Sequence, residues 1–244
     1  MKTTKIEWTD KTWNPITGCT KISQGCANCY AETMARRLNA MGLEKYSNGF
    51  NLALHSDCLD EPLRWKKSHN IFVCSMSDLF HKDVPFDFID RVMMTIKKTP
   101  QHRYQILTKR AERMAEYFET REIPQNAWLG VTVEAQSSKT RIDILRNLNA
   151  PIRFLSCEPL IEDLCTLNLD NIDWVIVGGE SGPNARPMKE EWVLSIKGQT
   201  ERQGALFFFK QWGTWGSDGV KANKKINGKL LQGKIVQNMP YNHK

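Results

Sequence analysis

"TWNPITGCTKISQGCANCYAETMARRLNAM", residues 12–41, reads as a strand, a loop and a helix in succession. "TWNPITG" is rich in β-branched and aromatic side chains. "CYAETMARRLNAM" spaces its apolar residues by three and four, the period of an amphipathic helix. The loop between them carries Cys19, Cys26 and Cys29, three of the chain's seven cysteines, with six residues in the first gap and two in the second. A strand feeding a helix is half of a βαβ unit, and the rest of the chain repeats it.

The further strand candidates are "FNLALH" (50–55), "IFVCSM" (71–76), "YQILT" (104–108), "AWLGVTV" (127–133), "IRFLS" (152–156), "DWVIVGG" (173–179) and "ALFFF" (205–209), which makes eight in all. Helical-period segments such as "PFDFIDRVMMTIKK", "RAERMAEYFET", "SSKTRIDILRNL" and "KEEWVLSIKGQTERQG" lie between them, while "SDCLDEPLRWKKSHN" is irregular. Such alternation specifies parallel strands joined by right-handed crossovers, and eight units in 244 residues match the size of a β/α barrel. The expected fold is α/β: a TIM-type or partial β/α barrel of parallel strands, a single domain over 1–212. An open doubly wound sheet is the alternative. Residues 213–244, rich in Gly, Lys and Asn, are expected to form turns or a hairpin packed on the barrel's edge.

Hydrophobic residues make up 41% and charged residues 25% of the chain, values of an ordinary globular protein, and no run approaches the ~18 apolar residues of a membrane span. No apolar stretch follows the N-terminal lysines, so a cytoplasmic protein without a membrane partner is expected. In that compartment seven cysteines serve as ligands, catalytic groups or buried thiols rather than as disulfides. The net charge of +7 points to a polyanionic partner.

In a β/α barrel the chemistry gathers at the C-terminal ends of the strands. Those positions hold His55 and Asp57, Ser77 and Asp78, Lys109 and Arg110, Thr132 and Glu134, Cys157 and Glu158, Glu180 and Ser181, and Lys210 and Gln211. Each such group either caps the next helix or faces a site. The three loop cysteines narrow the choice. A structural zinc site is usually closed by four ligands, and the chain has no second CxxC. An iron–sulfur cluster normally takes four thiolates, so three leave one iron with an open position. The helix that starts at Cys29 offers N–H groups and a positive dipole end to an anionic cluster. Both a metal-holding binding protein and an enzyme fit these residues.

Three cysteines after the first strand of a β/α barrel resemble the radical S-adenosylmethionine (radical SAM) superfamily. The resemblance implies a 4Fe-4S cluster on Cys19, Cys26 and Cys29 whose open iron is chelated by SAM, and cleavage of SAM to a 5'-deoxyadenosyl radical. The commonest superfamily spacing has three residues in the first gap, where this chain has six. "WNPITGCTKISQGCANCYAETMARRL", "SMSDLFHKDVP", "LTKRAERM", "FLSCEPL", "WVIVGGESGPNARPM" and "FFKQWG" look like the phage-associated three-Cys-motif family over nearly the whole chain.

A further likeness, to spore photoproduct lyase and the DNA repair photolyase branch, implies that Ser77 with Asp78, Thr108 with Lys109, and Thr132 through Glu134 touch SAM. Tyr30, beside Cys29, is assigned to the same cofactor-binding set. Gly178, Gly179 and Glu180 follow the seventh strand candidate rather than the second, so the superfamily's Gly-Gly-Glu role is not transferred to them. Glu180 and Arg186 read as substrate contacts, with a surface ion pair the alternative for Arg186, and Glu158 joins the catalytic set. Cys74 is either a hydrogen-atom donor or an inert buried thiol. Trp212 and Trp215 either stack on a base or pack the rim.

The function implied is radical chemistry on a nucleobase, nucleotide or DNA, as in phage DNA modification or repair. A monomer served by flavodoxin or ferredoxin as electron donor is expected, in the host cytoplasm if phage-encoded. The alternative is a non-catalytic nucleic-acid-binding protein with a structural zinc or iron–sulfur site.

Overall fold

The computed structural model describes residues 4–240. The strands are β1 (Lys11–Trp13), β2 (Ile16–Thr17), β3 (Ala53–Leu54), β4 (Asn70–Val73), β5 (Arg103–Thr108), β6 (Ala127–Thr132), β7 (Arg153–Cys157), β8 (Trp174–Gly178) and β9 (Leu206–Gln211). The helices are α1 (Tyr30–Ala40), α2 (Phe86–Lys98), α3 (Ala111–Phe118), α4 (Thr140–Arg146), α5 (Glu190–Gln203) and the single turn α6 (Lys224–Asn227). Seven strands form a sheet in the order β1-β4-β5-β6-β7-β8-β9. The order never reverses, as it would in a doubly wound sheet, and β1 and β9 are unpaired with each other. This is the parallel β/α sheet expected, of the partial-barrel kind.

The chain divides into two compact units. Unit 1 holds the residues up to Ile22, Cys29–Gly130 and Leu148–Pro151; unit 2 holds Ser23–Asn28, Val131–Asn147 and the residues from Ile152 onward. In unit 1, β1 pairs in parallel with β4 (Trp13 opposite Val73) and β4 with β5 (Val73 opposite Ile106). Trp13, Ile71, Tyr104 and Ile106 are wholly buried in this layer, and the Trp13 indole donates to the Cys58 carbonyl at 2.7 Å. α2 buries Phe88, Ile89, Val92, Met93 and Ile96, the three-and-four stripe that its sequence carries.

Two expectations need correction here. "FNLALH" adds no strand to the parallel sheet: Ala53–Leu54 pairs antiparallel with Ile16–Thr17 in a separate two-stranded sheet. A central parallel strand is covered on both faces, whereas Leu54 is 39% exposed and only 3-10 turns follow it, with no amphipathic helix to cover another strand. "TWNPITG" breaks at Asn14–Pro15, because proline has no N–H for a ladder. Asn14 Oδ1 turns instead to accept from Ser75 Oγ (3.1 Å) and Met76 N (3.2 Å).

In unit 2, β7 and β8 pair in parallel with Phe154 opposite Trp174, and β8 pairs with β9 with an irregularity at Val177/Gly178. α5 ends on Gly204 in the left-handed conformation (φ 78°), where a side chain would be strained. The segment after β9 folds back on that edge strand: Phe209 N donates to Val236 O at 2.7 Å, and the Trp174 and Trp212 indoles donate to the carbonyls of Asn238 and Leu230. An otherwise open sheet edge is thereby covered.

Candidate functional site

The cysteine loop leaves β1 and β2 through Gly18. Its φ is +78°, and a Cβ there would collide with the Asn51 carbonyl, so only glycine lets the chain turn so close to its neighbour. Gly18 N donates to Met76 O at 3.0 Å, and Ser77 Oγ donates to Gly18 O at 2.5 Å. The backbone just before Cys19 is thus tied to the turn that follows β4.

Below that tie lies a buried polar network of unit 1. The Asp78 carboxylate, 5% exposed, accepts from Phe80 N (3.0 Å), Thr108 Oγ1 (2.7 Å), Lys109 N (3.2 Å) and Arg110 Nη1 (2.9 Å). Arg110 reaches on to Thr20 O and Thr20 Oγ1, each at 3.1 Å, and to Cys19 Sγ at 3.6 Å. Burial disfavours the guanidinium charge, but Asp78 and Cys19 outweigh it and raise the Arg110 pKa above its ordinary value. His81, fully buried, accepts from Asp83 N at Nδ1, so its proton sits on Nε2, 2.8 Å from Thr20 Oγ1. Burial and Arg110 together push the His81 pKa down, which favours the neutral ring.

Of the cofactor-binding candidates in this unit, Asp78 and the Lys109 backbone meet in that network, while Ser77 belongs to the tie at Gly18. Tyr30 stands apart: its ring is 56% exposed and its hydroxyl donates to the Ser75 carbonyl. Cys29 precedes the first residue of α1 and packs beside Ala31, Tyr46 and Met76. Cys74 terminates β4 with φ at 56° and is 3% exposed, and burial drives its thiol pKa far up.

Unit 2 contributes its own cluster. Cys26 lies in the turn Ser23–Asn28, where Gly25 approaches Glu134 so closely that a Cβ would stand 2.8 Å from Glu134 Cγ. Glu134 is 1% exposed and pairs with Arg141 Nη1 at 2.8 Å; the same Nη1 donates to Thr132 O at 2.7 Å. After β8, Glu180 accepts from Asn28 Nδ2 (3.1 Å) and from Arg186 at N (2.8 Å), Nε (2.9 Å) and Nη2 (2.6 Å). Its acceptor capacity is spent on holding the Cys26 turn and its own loop. Glu158 pairs with Lys210, while its Oε1 is buried without a hydrogen-bond partner among the described residues. A Cβ at Gly178 would meet that carboxyl at 3.3 Å. Trp212 is 2% exposed and Trp215 donates its indole N–H to Ala185 O at 2.6 Å, an arrangement of packing rather than of base stacking.

Glu180 makes a pH prediction. Burial raises its pKa, but the hydrogen bonds from Arg186 and Asn28 more than offset this, and the carboxyl titrates below 4.5. A depressed folded-state pKa adds stability that is present above 4.5 and lost as pH falls through the folded value. Glu180→Gln is expected to flatten the acid limb of the stability profile, read by denaturant unfolding between pH 3 and 6 (roughly the range in which carboxylates titrate); an unchanged limb would assign it to other carboxylates.

Arg110, Asn28, His81, Arg141 and Lys210 were not singled out as site residues from the sequence. Arg110 and Lys210 do stand at strand ends, which was the available signal. The donor chemistry of the loop suits an iron–sulfur cluster: among the described residues Cys19, Cys26 and Cys29 are half-buried and in no disulfide, whereas Cys58, Cys74 and Cys157 are buried. Among the described residues no three or more His, Cys, Asp or Glu side chains are gathered as a metal-binding group, so the thiols fit in kind and number without a preformed cage. Among those residues no helix is long and apolar enough to cross a membrane.

No curated protein matches the sequence. Among solved structures the chain is similar to spore photoproduct lyase complexed with dinucleoside spore photoproduct, at 11% identity and a TM-score of 0.42 over 77% of this chain and 59% of that one. A variant of the same lyase with bound AdoMet and dinucleoside spore photoproduct matches at 11% identity and a TM-score of 0.41, over 78% and 61%. Another variant gives 12% and 0.44, over 83% and 65%. The chain thus spans 59–65% of the length of these lyase structures. A family profile matches residues 3–240, and the chain belongs to that family, described as "Protein of unknown function (DUF5131)".

Proposed function

We propose that the protein is a radical SAM enzyme acting on a nucleobase, nucleotide or nucleic acid. The observation that carries the reading is the loop after the first parallel strand: three half-buried cysteines on one connection, none of them in a disulfide among the described residues, the first 3.6 Å from the buried guanidinium of Arg110. When bound there, a 4Fe-4S cluster would supply the electron that cleaves the SAM sulfonium.

The chain's own residues divide the remaining work. Cys19, Cys26 and Cys29 are the ligands. Asp78, through Arg110 and Thr20, orients the start of the loop, and Glu180, through Asn28, holds the turn that carries Cys26. Lys109, half-buried at the end of β5 with its backbone on Asp78, presents an ammonium for the carboxylate of SAM. Glu158 Oε1 offers an acceptor for a substrate donor, and Lys210 balances its charge.

The test is anaerobic preparation of the full chain, with iron, sulfide and absorbance measured and 5'-deoxyadenosine formation from SAM followed under a strong reductant. Lys109→Ala is expected to keep the iron and to weaken SAM binding by roughly tenfold, about the 1.4 kcal/mol that a partly exposed charge-assisted contact supplies. Stoichiometric zinc in place of iron would overturn the reading, and unchanged SAM affinity would remove Lys109 from it.

A further inference from the structure

The basic charge of this chain is not spread evenly. Residues 213–244 carry six lysines against one acid, Asp218, so five of the seven net positive charges fall in the last 32 residues. The preceding 212 residues are close to neutral. Lys221, Lys224, Lys225 and Lys234 are exposed, and among the described residues none of them forms an ion pair with a carboxylate. The helix-surface Lys197, by contrast, pairs with Glu201.

Three of the four line one feature. An open groove of about 460 Å³ lies within unit 2 between the loop after Glu180 and the start of α6, lined by Ser181, Gly182, Thr214, Lys221, Lys224 and Lys225 among others. Its shape is held by internal hydrogen bonds. Thr214 Oγ1 accepts from Gly182 N at 2.9 Å, Lys221 Nζ donates to Pro183 O at 2.7 Å, and Asn223 Oδ1 accepts from Lys225 N at 2.9 Å. Lys221 also stands 5.9 Å over the Trp215 ring, which fixes its direction. The exposed aliphatic residues of the segment, Val220, Ile226, Leu230 and Ile235, are not among the groove's lining residues.

We infer that this groove binds the sugar–phosphate backbone of a nucleic acid. An open, shallow groove edged by the exposed Lys224 and Lys225, with no carboxylate in its lining, suits successive phosphates. A flat anionic membrane would call on the aliphatic residues outside the groove instead. The inference takes its class of partner from the function proposed above, and it requires neither cluster nor SAM.

The experiment is fluorescence anisotropy of a labelled single-stranded oligonucleotide with the anaerobically prepared full chain, titrated at several salt concentrations. Lys224→Gln with Lys225→Gln is compared with Lys66→Gln with Lys67→Gln, an exposed lysine pair in unit 1. At about 0.7 in log–log salt slope per neutralised phosphate on single strands, removing two contacts lowers the slope by ~1.4 and the affinity roughly 25-fold at about 0.1 M salt. The control pair is expected to behave as the wild type.

Equal losses in both pairs would reduce the groove to diffuse charge, and an unchanged Lys224/Lys225 variant would overturn the proposal. So would retention of the protein on vesicles of anionic phospholipid without binding to the oligonucleotide. Iron content and SAM cleavage, read on the same preparations, separate failure of the groove from failure of the enzyme reading: a protein that cleaves SAM but ignores the oligonucleotide loses only the groove.

Discussion

Cys19→Ala, Cys26→Ala and Cys29→Ala are each expected to leave anaerobically prepared protein without iron, while Cys58→Ala and Cys165→Ala keep it. The physical reason is that every thiolate supplies one iron ligand, so each single loss leaves the cluster with two of its three protein ligands. Cys58 is buried beside Lys45 Nζ at 3.1 Å and Cys165 is exposed on a different loop, so neither can substitute. Iron and acid-labile sulfide per chain, with the visible absorbance spectrum, give the answer. Iron retained by any single loop variant at the wild-type level would remove that residue from the ligand set.

The second large effect falls on stability. Arg110→Ala leaves the Asp78 carboxylate buried with its cationic partner gone; the two side chains are only 10% and 7% exposed. Removing one member of a buried ion pair costs about 3–5 kcal/mol, because the remaining charge loses compensation it cannot recover from water. For a chain of this size that corresponds to a melting temperature lower by roughly 6–20 °C. Arg110→Lys is expected to recover only part of this, since an ammonium cannot span Asp78 and Thr20 as the planar guanidinium does. Faster proteolysis between Thr20 and Gly25 would accompany the loss, as the loop start is freed. A melting temperature within about 2 °C of the wild type, less than 1 kcal/mol on the same scale, would show that Asp78 is satisfied by Thr108 and the backbone alone.

Much of the fold was legible because a parallel strand covered on both faces is a short continuous apolar run. "IFVC", "YQIL", "AWLGV", "WVIVG" and "LFFF" all announce themselves in this way. The misreading of "FNLALH" has the same root: a short apolar run states that residues are buried or extended, not which neighbour they pair with. Proline and the exposure of Leu54 decide that Ile16–Thr17 and Ala53–Leu54 turn aside into their own ribbon. One consequence is that Gly178, Gly179 and Glu180 follow the sixth strand of the parallel sheet and not the seventh.

The cysteine loop could be read directly, since its three thiols lie within eleven residues. The partners that hold it could not. Asn28 meets Glu180 across 152 positions, and Arg110 meets Thr20 across 90. Such pairs depend on where crossovers return the chain, which no local pattern encodes. Glu180 and Arg186 show the difference well: nominated as substrate contacts, they turn out to spend their hydrogen bonds on each other and on Asn28.

The amino-acid sequence by itself determined the parallel β/α architecture, the position of the thiol loop after the first strand, and the concentration of positive charge beyond residue 212. These depend on local hydrophobic period and on composition, which act over a few residues. Only the tertiary structure decided that the sheet has seven strands, that Arg110 links Asp78 to Cys19, that Glu158 keeps one buried oxygen unpartnered, and that three lysines share a groove. These depend on where the crossovers return distant segments of the chain and, for Asp78 and Arg110, on which buried charges find compensation once the strands are in place.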